Sequence, residues 1–262
     1  MHSTDPRRRA PATGHVQREP ELRLYGVNAC LAAFAARPDD LRKVYLSEAR
    51  LPRLREVLAY CVRARLGYRV VEEDDLRRLA ASSHHEGVVF DMRPPQVPTL
   101  EQLLQREASA KASLLLWLDG VGNPHNLGAV LRSAAHFGAA AVLLPPGSGL
   151  GLSGAAARVA EGGAEAVPLI RLADADAAQQ KLRSASYRLA ATVPRGGENL
   201  FECELPAKTV LIFGAETTGI GVNLLLASSL QLGIPGSGAV ESLNISTAAA
   251  ICLAEWRRRH PQ

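Results

Sequence analysis

No apolar run in this 262-residue chain approaches the roughly 20 residues that a bilayer-crossing helix needs. Runs such as SLLLWL at 113–118 fall far short. The first residues also lack a signal-peptide apolar core, so the sequence reads as a soluble, cytoplasmic protein with no membrane role. Cysteine is sparse: Cys30, Cys61, Cys203 and Cys252 are scattered, with no C-x-x-C pair and no histidine at ligand spacing. That excludes a disulfide framework or zinc ribbon and leaves four reduced, buried, small hydrophobes and no metal site. Charge of one sign is scarce too. The net +4 divides as +2 over residues 1–20, +2 over 21–93 and zero over 94–262. An excess confined to the N-terminal third hints at a polyanion met by the front of the molecule, although +4 also suits an ordinary soluble enzyme. With 47% apolar and 21% charged residues, the chain is neither disordered nor collagen-like, and its length suits two domains.

Residues 1–20, rich in proline and arginine, read as a flexible tail. Residues 21–92 alternate helix and strand: helix at 27–36, strand at 43–46, helix at 51–64, strand at 68–71, helix at 74–81 and strand at 87–90. This is a small α/β unit. Residues 93–112, with Pro94, Pro95, Pro98 and a polar helical stretch at 100–107, read as a linker. From 113 to 262, strand candidates at 114–119, 140–144, 166–170, 187–192, 210–213 and 230–234 alternate with helical candidates at 127–137, 154–161, 173–184, 222–228 and 246–259. Such alternation predicts an α/β fold with a mostly parallel sheet, helices on both faces, and ligands gathered at the carboxyl edge of the strands.

The most familiar motif is Gly149-x-Gly151-x-x-Gly154 with Asp174 twenty residues on. Four residues, Pro145–Ser148, separate it from the strand, where a dinucleotide fingerprint needs its first glycine at the strand end. It reads as a flexible loop. More specific is the segment Asp119–Gly138. Asn126 is a natural helix cap after the Asn123-Pro124 turn. Arg132 stands one turn beyond Gly128, so a guanidinium fork beside a position without a side chain suits a phosphate, or else is a surface arginine. The second cluster, Phe213-Gly214-Ala-Glu216-Thr-Thr-Gly219, permits close backbone approach at Gly214 and offers one carboxylate, itself favoured near a helix start. In the third, Ile234-Pro235 through Ser242-Leu243-Asn244-Ile-Ser246, one of Ser242, Asn244 and Ser246 caps the last helix and the others could surround a polar ligand. His84 and His85 read as solvated loop residues, and Arg257–Arg259 as helix-end cations.

Taken in order, N-P-x-N-L-G-x-x-x-R, F-G-x-E-x-x-G and I-P…E-S-L-N-x-S resemble the three signature motifs of the SpoU/TrmH family of RNA ribose 2′-O-methyltransferases. The N-terminal unit is similar to that family's substrate-binding domain, with Leu24-Tyr25-Gly26 at its start and His85-Glu86-Gly87 near its end. The resemblance implies an S-adenosylmethionine-dependent enzyme with a trefoil-knotted α/β domain, acting as a homodimer on RNA, ribosomal in preference to transfer RNA. It further implies Arg132 as the central catalytic residue with Asn126, Glu216 and Asn244, and Gly214, Ile234 and Leu243 as cofactor contacts, with Thr192 and Ser242 beside them. Arg132 and His85 are the RNA contacts it suggests. Two departures, Asn123-Pro124 where Asp-Pro is common and Gly236 where a bulkier residue often follows Ile-Pro, lie beside the active groups. The competing classes are a nicotinamide-dependent oxidoreductase resting on Gly149–Gly154 and a non-catalytic RNA-binding protein.

Overall fold

The computed structural model describes residues 21–261, so the tail read at 1–20 lies outside the described residues. The chain begins with β1 (Leu22–Tyr25), α1 (Val27–Ala36), β2 (Leu41–Leu46), α2 (Arg55–Ala64), β3 (Gly67–Val70), α3 (Glu73–Ala80) and β4 (Val88–Met92). Four strands form one sheet in the order β1-β4-β2-β3, with β4 antiparallel to β1 and β2, and β3 parallel to β2. Every residue of the inner strand β4 is buried.

There follow α4 (Leu100–Arg106), β5 (Ser113–Asp119), α5 (Pro124–Phe137), β6 (Ala141–Leu144), α6 (Gly154–Ala160), α7 (Gly163–Ala166), β7 (Leu169–Arg171) and α8 (Ala175–Ser184). The chain closes with β8 (Arg188–Thr192), β9 (Glu198–Asn199), β10 (Lys208–Gly214), α9 (Val222–Ala227), β11 (Leu230–Gly233) and α10 (Ile245–Arg259). Seven strands form a parallel sheet in the order β7-β6-β5-β10-β8-β11-β9. Period-two alternation along β5 sorts its side chains between two cores. Leu114, Leu116 and Leu118 pack with residues of α5, α6 and α10, while Leu115 and Trp117 pack with α4, α8 and α9.

Three expectations need correction. The supposed linker contains α4, closed by a Thr99–Gln102 capping box, and its Leu100 and Leu103 are buried in the second core. The predicted strand at 166–170 begins instead as α7, and the strand starts only at Leu169. The loop at 145–153 is tied rather than free: Arg171 donates to the carbonyls of Ser148 and Leu150, and Gly154 packs against the Tyr25 ring. The Gly149–Gly154 motif is thus a joint with β1.

The two sheets share packing across α6. Ala157 enters the core of Leu24, Cys30 and Phe90, and Arg158 Nε donates to Glu86 Oε1 at 3.1 Å. The other oxygen of Glu86 accepts from Val27 N at 2.9 Å, fixing the start of α1. His85 is buried, not solvated, and its Nδ1 accepts from Gly87 N at 3.1 Å. It braces this turn and presents no face to RNA. All four cysteines are free and buried, and burial pushes the Cys30 thiol up and that of Cys252 to about 12.

Candidate active site

A parallel sheet delivers all its strand ends to one edge. The loops after β5, β10, β8 and β11 therefore emerge side by side, since those strands are neighbours in the order β5-β10-β8-β11. The pairing of Asp119 with Gly214 and of Thr192 with Leu232 sets their exits level. The three motifs, far apart in sequence, become one rim.

Asn123, not Asn126, caps α5: its side chain accepts from His125 N at 2.9 Å, and Pro124 occupies the first turn. Asn126 is thereby shifted onto the first helical turn with its amide free to reach sideways. Its Nδ2 donates to Glu216 Oε1 at 3.3 Å, and its Oδ1 accepts from Asn244 Nδ2 at 3.1 Å. Asn244 Nδ2 also donates to Glu216 Oε1 at 3.1 Å. One residue from each motif closes a three-membered polar ring. Asn244 in addition caps α10, its Oδ1 accepting from Ser246 N at 2.9 Å and Ser246 Oγ at 2.6 Å.

Two glycines act differently from their sequence reading. A Cβ at Gly128 would strike the Ala156 carbonyl oxygen and come within 2.7 Å of Val159 Cβ, so Gly128 lets α5 and α6 touch and opens no pocket beside Arg132. A Cβ at Gly214 would strike the backbone of Gly219 and Ile220, because the loop folds back through paired Ala215–Gly219 backbone bonds. The close approach at Gly214 is first that of its own loop. Asp119, unrecognised in sequence, anchors the same loop by accepting from Gly221 N at 2.7 Å. Its position at a strand end beside the motif was the available signal.

Arg132 stands apart. Six residues beyond Asn126 amount to about 9 Å of rise and roughly 240° of rotation on a helix. It is exposed, and no hydrogen bond or ion pair links it to the ring among the described residues. The chain does not by itself join Arg132 to Asn126, Glu216 and Asn244.

The cofactor candidates fall along the rim. Thr192 ends β8 with its hydroxyl donating to the Ile212 carbonyl at 2.8 Å, which fastens β8 to β10. Ile234 follows β11 directly, and Ser242 and Leu243 lie exposed in the loop before α10. Among the described residues, the one backbone hydrogen bond donated within 234–243 is from Ala239 N to Ser237 Oγ. An exposed ion pair, Arg195 with Glu241 at 3.7 Å, spans from the loop after β8 to this one. Unpaired amides and carbonyls beside apolar Ile234 and Leu243 fit a ligand with a flat heterocycle and polar edges. No group of three or more His, Cys, Asp or Glu able to hold a metal occurs among the described residues.

The SpoU rRNA methylase family profile matches residues 113–254, and the RNA 2′-O ribose methyltransferase substrate-binding profile matches residues 23–98. The chain is 37% identical to an uncharacterized tRNA/rRNA methyltransferase, YfiF, of Escherichia coli O157:H7, over 93% of this chain and 70% of that one. It is 35% identical to the 23S rRNA (guanosine-2′-O-)-methyltransferase RlmB of Pseudomonas aeruginosa, over 91% of this chain and 97% of that one. Among solved structures, the AdoMet-bound rRNA methyltransferase from Sinorhizobium meliloti superposes with a TM-score of 0.77 at 24% identity, covering 92% of this chain and 88% of that one. That likeness is one of fold.

Proposed function

The chain belongs to the SpoU family of S-adenosylmethionine-dependent RNA 2′-O-methyltransferases, and from that premise we propose that it methylates ribosomal RNA as a homodimer. The observation that carries the reading is the ring of Asn126, Glu216 and Asn244, drawn from three separate motifs onto one strand edge. Gly214, Ile234, Ser242 and Leu243, with Thr192 behind them, are the residues that would hold the methyl donor. Bound there, S-adenosylmethionine supplies an activated methyl and its own leaving group.

The chain's residues then have to align a ribose hydroxyl. In-line attack needs the 2′-oxygen held about 3–3.5 Å from the methyl carbon, so most of the acceleration comes from clamping. Arg132 grips an RNA phosphate through its guanidinium fork. As the oxygen–methyl bond would form and the sulfur–methyl bond break, the single hydroxyl proton would pass by way of that oriented phosphate to water. Glu216, occupied at Oε1 by two amide donors, positions the loop and its asparagines. The separation of Arg132 from the ring supports a site completed by a second copy. Exposed Val240 and Leu243 beside the ring give such a copy apolar surface to cover. The insertion of β8 between β10 and β11 supports the trefoil-knotted path, with residues 113–262 as the methyltransferase domain and 21–92 as the RNA-binding domain. Ribosomal RNA is favoured over transfer RNA by the match to the SpoU rRNA methylase family and by the RlmB relative. On this reading the enzyme works in the cytoplasm; no described helix is long and apolar enough to cross a membrane.

Calorimetry and methyl transfer with the wild type and Arg132→Ala test the assignment. S-adenosylmethionine should bind both about equally, while the variant loses transfer to ribosomal RNA. Lost donor binding, or retained turnover, contradicts the role of Arg132. Faster methylation of transfer RNA by the wild type overturns the choice of substrate.

A further inference from the structure

The small sheet ends at β3, which pairs with β2 on one side and leaves its other backbone edge open. All four of its residues are exposed, among them Tyr68 and Val70. A bare edge carrying exposed apolar side chains invites a partner. Residues 57–71 contain Arg63, Arg65 and Arg69 and no acidic residue. All three arginines are exposed, and none of their guanidinium groups makes a hydrogen bond or ion pair among the described residues. Elsewhere in this unit Arg23, Arg37, Arg77 and Arg78 each have a carboxylate partner.

Strand register sorts these groups. Tyr68 opposes Val44 and Val70 opposes Leu46, so both stand on the face that α2 helps to cover. Arg69 opposes Tyr45 on the other face, where Lys43 Nζ lies 4.9 Å above the Tyr45 ring. The end of α2 explains cations at Arg63 and Arg65 through its dipole. It does not explain Arg69 on one face of the edge strand, or the exposed Tyr68 ring on the other.

We propose that the β3 edge is a landing strip for a single strand of RNA, with Tyr68 stacking on a base while Arg63, Arg65 and Arg69 meet phosphates. The proposal rests on the RNA substrate inferred above and assigns where the substrate-binding domain takes hold of it. An added protein strand would satisfy the backbone edge but would need a carboxylate of its own for each of these cations. A phosphate backbone brings one negative charge per nucleotide, and every base offers a stacking face.

The test is fluorescence anisotropy of a short single-stranded RNA across a salt series, with donor calorimetry, thermal melting and sedimentation of each variant. Asn replaces Arg65, whose φ of 57° asparagine tolerates. The triple variant Arg63→Gln, Arg65→Asn, Arg69→Gln should flatten the slope of log affinity against log salt by about 2. Tyr68→Ala should weaken binding about tenfold. Both should keep donor binding and melting temperature. Arg77→Gln with Arg78→Gln, which removes charge from α3, should change the slope far less. An unchanged slope in the triple variant, or an equal loss in the α3 control, overturns the proposal. So does lost self-association with RNA affinity intact, which would give the edge to a protein strand. Wild type that binds neither RNA nor donor refutes the enzymatic reading itself; wild type that methylates while the variants bind RNA equally well refutes the landing strip alone.

Discussion

Asn126 shows how a shift of three residues in a helix cap changes what a side chain can do. With Asn123 closing the first turn, the Asn126 amide is released to bridge Glu216 and Asn244. Because Glu216 accepts both amides through Oε1, a glutamine can present its carbonyl oxygen there and keep the ring, whereas alanine cannot. Glu216→Gln should therefore retain most methyl transfer, and Glu216→Ala should lose at least about tenfold, roughly 1.4 kcal/mol of barrier. Equal loss in single-turnover assays would make the charge, not the positioning, essential. The identity of these residues was legible in sequence because motif spacing survives without a structure. Their partners were not, since a hydrogen bond between residues 90 or 118 positions apart leaves no local trace. Local arguments also misread Gly128 and His85. A glycine one turn from an arginine looks like an open pocket until α6 is seen lying on it, and a loop histidine looks solvated until its turn is seen buried.

At the scale of elements, the C-terminal helix α10 is pinned at both ends. Asn244 caps its start, and near its end Glu255 accepts from Arg258 and Arg259. Arg259 also donates to the carbonyls of Leu200 and Cys203, which ties the helix to the segment after β9. Hydrogen bonding from Arg258, and next from Arg259, holds the Glu255 carboxyl down at about 2 against an ordinary 4.5. A folded value below the unfolded one stabilises the fold fully above about pH 4.5, and the gain is lost as pH falls through about 2. Denaturant melts over that window should show a shallower fall for Glu255→Gln than for the wild type. Parallel melts for the two proteins would remove Glu255 from the account of acid stability. Long helices such as α5 and α10 were readable from periodicity, because each spans several repeats of its pattern, and β5 from its unbroken apolar run. β9, with two residues, and α7, with four, are too short to carry a period, and β1 gains its identity only from pairing with β4.

For the molecule as a whole, the sequence divided the chain where the structure joins it. Glu86 and Arg158 bind across the two units, Arg37 pairs with Glu165 at 2.8 Å, and Ala157 sits in the small unit's core. A chain lacking residues 1–92 would bare the α6 surface, so it should melt well below the intact protein and bind a hydrophobic dye. A truncated chain as stable as the parent would mean that the units fold independently. The alternation of strands and helices was enough to give a parallel sheet with two covered faces; the order β10-β8-β11 was not, because it depends on crossings that no residue pattern encodes. The order matters for function, since it sets the ends of β10, β8 and β11 side by side at the rim. The central claim is that this rim directs a methyl group onto ribose. Its most direct test is digestion of ribosomal RNA to nucleosides after incubation with the protein and methyl-labelled S-adenosylmethionine. The account predicts label in a 2′-O-methylated nucleoside with the wild type and none with Arg132→Ala; label on a base, or equal ribose labelling by the two proteins, would contradict it.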